Sequence, residues 1–100
     1  MIKMQRDERS VWPDDVPLGT FSIEDTTIAG YPGATAHLVF VCPNRGRCGV
    51  LVGPAHVRRS KAGDLSIWAW DGDPEAPTLA PSIDCRGCGW HGHIDHGVLK

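Results

Sequence analysis

Apolar and polar positions alternate in short runs along this chain, and nowhere do they hold a helical period over three turns. Thr20-Phe-Ser-Ile-Glu24 alternates one for one, as a half-buried strand does. Ala36-His-Leu-Val-Phe-Val-Cys42 is the strongest strand signal, β-branched and aromatic between polar and turn residues. Gly49-Val-Leu-Val-Gly53 is a second apolar run, and the segment joining these two predicts a β-hairpin with cysteines at its tip. Leu65-Ser-Ile-Trp-Ala-Trp70 reads as a strand with both faces suited to being covered.

Between these runs lie turn signals. Gly30-Tyr-Pro-Gly33 is a turn cluster, Pro54 to Gly63 a loop or at most one helical turn, and Asp71 to Pro77 a turn and linker. Leu79-Ala-Pro-Ser-Ile83 leads into Cys85, and the tail closes through Gly89-Trp-His-Gly-His-Ile94, a turn at Asp95-His-Gly97, and Val98-Leu99. The first fifteen residues are polar and without period, which predicts a flexible arm over 1–15 with Trp12 as its anchor and a single β domain over 16–100. The fold expected is all-β, built of short hairpins.

Composition then raises the question of what holds such a domain together. One hundred residues allow one domain, and 12 Gly with 8 Pro favour turns over long helices. A small, turn-rich domain commonly needs a disulfide or metal staple. There are four cysteines, Cys42, Cys48, Cys85 and Cys88. The stretch Met1 to Asp15 has no apolar run of signal-peptide length, and no segment approaches a membrane span. The expectation is a cytoplasmic protein with no membrane contact, whose paired thiols ligate metal.

Cys85-Arg-Gly-Cys88-Gly is the sharpest motif: two thiolates at this spacing grip one tetrahedral zinc when the backbone between them turns tightly. Cys42-Pro-Asn-Arg-Gly-Arg-Cys48-Gly is a longer knuckle of the same kind. Two such pairs on separate hairpins predict a zinc-ribbon-like domain with Zn held by Cys42, Cys48, Cys85 and Cys88. His91 is the alternative to Cys85, since Cys88 and His91 are also at ligand spacing. Arg45, Arg47 and Arg86 lie within the cysteine loops, where they either offset thiolate charge or are solvated.

The net charge of −2 excludes a strongly basic nucleic-acid binder. Its distribution is uneven: no acid falls between Thr26 and Gly63, whereas Arg45, Arg47, Arg58, Arg59 and Lys61 do. With Arg86 these form a candidate phosphate-binding set, the alternative being an ordinary solvated surface. His91-Gly-His-Ile-Asp95-His96 resembles the metal-binding signature of the metallo-β-lactamase superfamily, which implies ligands at His91, His93, Asp95 and His96. The distal ligands those enzymes need have no room after Gly97, and Asp95-His-Gly97 suits a hairpin turn.

Three separated elements, Trp68-Ala-Trp70-Asp-Gly72, Pro77-Thr-Leu-Ala-Pro81-Ser-Ile83 and Cys88-Gly-Trp-His-Gly92, followed by Gly97-Val, resemble in order a family of small uncharacterised phage and prophage proteins. That resemblance implies a phage origin and zinc, with the host cytoplasm as compartment. The function expected is a non-catalytic zinc-binding accessory protein whose partner is a macromolecule, a host protein first. A nucleic-acid-binding zinc ribbon is the alternative, and a metal-dependent hydrolase using the HGHIDH segment the third reading. No enzyme is expected, because a closed zinc site leaves no open coordination position and no nucleophile–base pair is evident along the chain.

Overall fold

The computed structural model describes residues 1–9, 11–25, 33–58, 66–85 and 87–100. The strands are β1 (Ile2–Lys3), β2 (Gln5–Arg6), β3 (Thr20–Asp25), β4 (Ala36–Val41), β5 (Arg47–Gly53), β6 (Val57–Arg58), β7 (Ser66–Trp70), β8 (Leu79–Ala80), β9 (Ile83–Asp84), β10 (His91–Gly92), β11 (Ile94–Asp95) and β12 (Val98–Leu99). No helix occurs among the described residues, so the fold is all-β as the alternation requires. Of the turn expected at Gly30 to Gly33 only Gly33 is described, and Leu65 and residues 59–63 also lie outside the described residues.

The main sheet runs β2-β3-β4-β5-β7-β6, with β8 also paired to β7. Its centre is the antiparallel run β3–β4–β5, in which Phe21 faces Phe40 and Leu38 faces Val50. β5 and β7 are parallel, so the chain must cross over between them. The outer edge of β7 is shared: β6 pairs with Ser66 and Ile67, and β8 with Ala69 and Trp70.

The period of two decides what each face buries. Phe21, Ile23, Leu38, Phe40, Val50 and Val52 enter the larger core, where Leu79, Ile83, Ile94 and Leu99 from the C-terminal hairpins close over them. The opposite face carries Val39 and Val41 against Trp12 and Val16. β5 is covered on both sides, which is why Val50, Leu51 and Val52 read as a continuous apolar run.

The stretch expected as an arm carries two short pairings. β1 lies antiparallel to β12 and β2 parallel to β3, while Trp12 is buried and donates its indole N–H to the Asp7 carbonyl at 3.1 Å. Isolated polar residues can complete a sheet edge because the ladder bonds are made by backbone, which no side-chain pattern reports. The tail turn is the two-residue kind: Asp95 pairs with Val98, and His96 and Gly97 both have positive φ, 49° and 74°.

Close backbone approach fixes one glycine. A Cβ on Gly53 would run into the Gly33 carbonyl beside the end of β5. Gly53→Ala is therefore expected to cost about 1–3 kcal/mol, the usual range for forced overpacking. It should appear as a lowered urea midpoint with an unchanged slope.

Candidate active site

β9 and β10 form a two-stranded antiparallel hairpin in which Asp84 faces His91 and Ile83 faces Gly92. Ile83, Gly92 and Ile94 point into the core, while Asp84, His91 and His93 stand on the open side. Ser82, half-buried, precedes β9 by one residue and shares that open side by the alternation. Its hydroxyl meets His91 Nε2 at 3.0 Å. In the tautomer with the proton on Nδ1, Nε2 accepts the serine O–H, which is the arrangement of a serine nucleophile and its general base.

The turn of this hairpin is the second cysteine knuckle. Gly89 N–H donates to the Cys85 carbonyl at 2.7 Å, Cys88 N–H to the same carbonyl at 3.3 Å, and Cys85 N–H to the Trp90 carbonyl at 2.7 Å. Gly89 takes φ of 78°, a conformation suited to glycine. Trp90 then packs edge-on against Phe40, ring centroids 5.7 Å apart, which seats the histidine strand on the main core.

The first knuckle caps the β4–β5 hairpin. Cys42 N–H donates to the Gly46 carbonyl at 2.9 Å, and Gly46 N–H points at Cys42 Sγ at 3.3 Å. Asn44 Nδ2 reaches across to the Cys88 carbonyl at 2.9 Å and ties the knuckles together. The four sulfur atoms lie within 4.8 Å of one another, and among the described residues they are the one group placed to share an ion. Cys48 and Cys85 are disulfide-bonded, with Cys42 Sγ 2.7 Å from Cys88 Sγ and Cys48 Sγ 3.5 Å from it. Burial pushes the Cys42 thiol above its ordinary range, and the Cys88 thiol beside it acts in the same direction.

Other residues singled out by sequence have different partners. Arg45 donates to the carbonyls of Asp14 at 3.2 Å and Val16 at 3.0 Å. Arg47 donates to the Trp12 carbonyl at 3.2 Å, with its guanidinium 5.7 Å from that ring's centroid. Both fasten the N-terminal segment and neither touches sulfur. Arg58 has its backbone in β6, and Arg59, Lys61 and Arg86 lie outside the described residues. In the histidine-rich tail, the Asp95 carboxylate takes Lys100 Nζ at 2.8 Å and His96 Nδ1 at 2.5 Å; Lys100 first, then His96, holds its carboxyl below the usual range. His91 turns to Ser82, so the HGHIDH segment is divided between a hairpin turn and the serine site. No helix is long and apolar enough to cross a membrane among the described residues.

The pair that sequence reading missed is separated by nine residues, in two different motif elements. Only the hairpin brings them together. A signal was nonetheless there: Ser82 and His91 carry a hydroxyl and an imidazole in the Pro-Ser-Ile and Cys-Gly-Trp-His-Gly elements.

The family model described as bacterial ubiquitination-like system serine protease (BubE) matches residues 8–100. No curated protein and no solved structure matches the chain. The family match overturns two expectations, that the protein is a non-catalytic accessory protein and that it is not an enzyme, and it gives no support to the nucleic-acid or metal-dependent hydrolase alternatives. The physical reason for the error is that a closed cysteine cluster speaks only against catalysis at the cysteines themselves, and says nothing of a serine just before β9.

Proposed function

The chain belongs to the family of bacterial ubiquitination-like system serine proteases (BubE), and on that premise we propose that Ser82 is its nucleophile and His91 its general base. The 3.0 Å contact between Ser82 Oγ and His91 Nε2 carries the assignment. Ser82 Oγ attacks the scissile carbonyl carbon as His91 Nε2 takes the hydroxyl proton. The tetrahedral intermediate collapses, the C–N bond breaks, and His91 returns the proton to the leaving amine. Water, deprotonated by the same imidazole, then hydrolyses the acyl-serine ester and regenerates the free hydroxyl. The substrate is a protein of the ubiquitination-like system, and the exposed face of the β9–β10 hairpin is where its chain is presented.

The test is covalent capture. A fluorophosphonate probe is expected to add one adduct per chain, located on Ser82 by mass spectrometry, and to inhibit hydrolysis of a p-nitrophenyl ester in proportion. An unlabelled protein, or an adduct on another serine, would remove the assignment.

We also infer that Cys42, Cys48, Cys85 and Cys88 hold one zinc ion as thiolates. Zinc with four sulfurs at about 2.3 Å sets them about 3.8 Å apart, and the four sulfur atoms here lie within 4.8 Å of one another. The ion takes thiolates, so it and the Cys48–Cys85 disulfide exclude each other, and zinc is the form of a reducing cytoplasm. Filled by four protein ligands, it performs no step of the hydrolysis; it fastens the turn between the serine strand and the histidine strand. The likeness to phage and prophage proteins remains part of this proposal as provenance.

A further inference from the structure

Ser82 belongs to neither of the ladders around it: β8 ends at Ala80 and β9 begins at Ile83. The register of β7 with β8, Ala69 to Ala80 and Trp70 to Leu79, would next bring Trp68 opposite Pro81. That is a non-hydrogen-bonded position, since Asp71 N–H bonds the Thr78 carbonyl further along the same ladder; the next hydrogen-bonded pair would join Ile67 to Ser82, but Ile67 is already paired with Val57 of β6, so the ladder stops there. On the same edge of β7, the pairing with β6 covers only Ser66 and Ile67, which leaves Trp68 at the junction between two partner strands. Trp68 Nε1–H donates to the carbonyl of Ser82 at 3.1 Å.

We propose that Trp68 is a positioning residue for the serine nucleophile, fixing the Ser82 peptide through its indole N–H so that Oγ stays on His91. The inference rests on the serine-protease reading above. Trp68 is suited to the task because the ring packs half-buried against the main core and its backbone is held beside Val52 in the parallel β5–β7 pair. A donor anchored in the sheet transmits that rigidity to a residue lying between strands. Nucleophile placement matters steeply, since a misplacement of about 1 Å can cost about 100-fold in rate. The inference also gives a role to the Trp68-Ala-Trp70-Asp-Gly72 element: Asp71 Oδ1 accepts N–H bonds from Asp73 at 3.1 Å and Thr78 at 3.2 Å, shaping the loop that returns the chain to Ser82.

Trp68→Phe keeps most of the ring and removes the donor. It is expected to lower kcat for p-nitrophenyl ester hydrolysis, and the rate constant of fluorophosphonate labelling, by about 10-fold or more with KM within about twofold. The pH profile should keep its shape, since His91 is untouched. Trp70→Phe is the control: its indole donates to the Asp73 carbonyl at 3.3 Å, away from Ser82, and kcat should not change. A Trp68→Phe kcat within about twofold of the parent protein overturns the inference. Should that variant fail to fold, hydrogen exchange of the four assigned indole N–H groups in the parent protein decides instead. Trp68 is expected to be protected well above Trp70, and exchange at the rate of an open indole overturns the proposal. Ser82→Ala separates the two levels: if it retains full activity the protease reading falls, whereas an inert Ser82→Ala beside a fully active Trp68→Phe removes only the role of Trp68.

Discussion

Ser82→Ala is expected to lower kcat/KM by at least about 1,000-fold, with His91→Ala close behind and the double variant no worse than the serine variant alone. The reason lies in the single hydrogen bond between them. Without the imidazole, the Ser82 hydroxyl must ionise unaided, and without the hydroxyl the imidazole has nothing to deprotonate, so either loss removes the whole function of the pair. Free energies of two groups that act as a unit do not add. Stability should hardly move, because Ser82 is half-buried and His91 exposed, and a hydrogen bond of this kind contributes about 0.5–1.5 kcal/mol net. The measurement is steady-state kinetics on purified variants beside their thermal unfolding curves. Additive losses, or a Ser82→Ala variant that still turns over, would show that another group attacks.

The strands were legible because their cause is local. Period-two alternation over Phe21, Ile23, Leu38 and Phe40 marks the side of the sheet that water leaves, and β3 and β4 formed where it runs, while β5 formed at the continuous apolar run Val50-Leu51-Val52. β1 and β2 were not, since two-residue strands such as Ile2–Lys3 and Gln5–Arg6 are made by backbone pairing with distant partners. The cysteine cluster was visible for a related reason: thiols are few, and each pair is punctuated by glycine or proline. The serine site is the opposite case. Serine is common, its reactivity comes from a neighbour, and that neighbour is set by the register of β9 on β10. The imidazole was noticed only as an alternative metal ligand, because sequence spacing places His91 as close to Cys88 as Cys85 is, while the alternation turns it outward to Ser82. Arg45 and Arg47 were likewise noticed for their charge, and the folded chain uses both to hold the carbonyls of Trp12, Asp14 and Val16.

Protein purified under reducing conditions is expected to contain one zinc per chain and to lose both its cooperative unfolding transition and its fluorophosphonate labelling when a strong chelator removes the metal. The magnitude follows from scale. A structural zinc contributes on the order of 10 kcal/mol of apparent binding free energy, against about 5–15 kcal/mol for the whole stability of a domain. Labelling goes with it because Cys85 and Cys88 form the turn between β9 and β10, and a hairpin released at its turn no longer fixes Ser82 on His91. Cys42→Ser, Cys48→Ser and Cys88→Ser should each abolish zinc retention by removing one thiolate. The decisive comparison is between Cys85→Ser and His91→Ala. The first should lose metal and labelling together, while the second should keep its zinc and its fold and lose labelling alone, since His91 belongs to the serine. An X-ray absorption spectrum with four sulfur neighbours agrees with that division. One nitrogen and three sulfurs, with zinc lost from His91→Ala and kept by Cys85→Ser, would place His91 on the metal and leave Ser82 without its base.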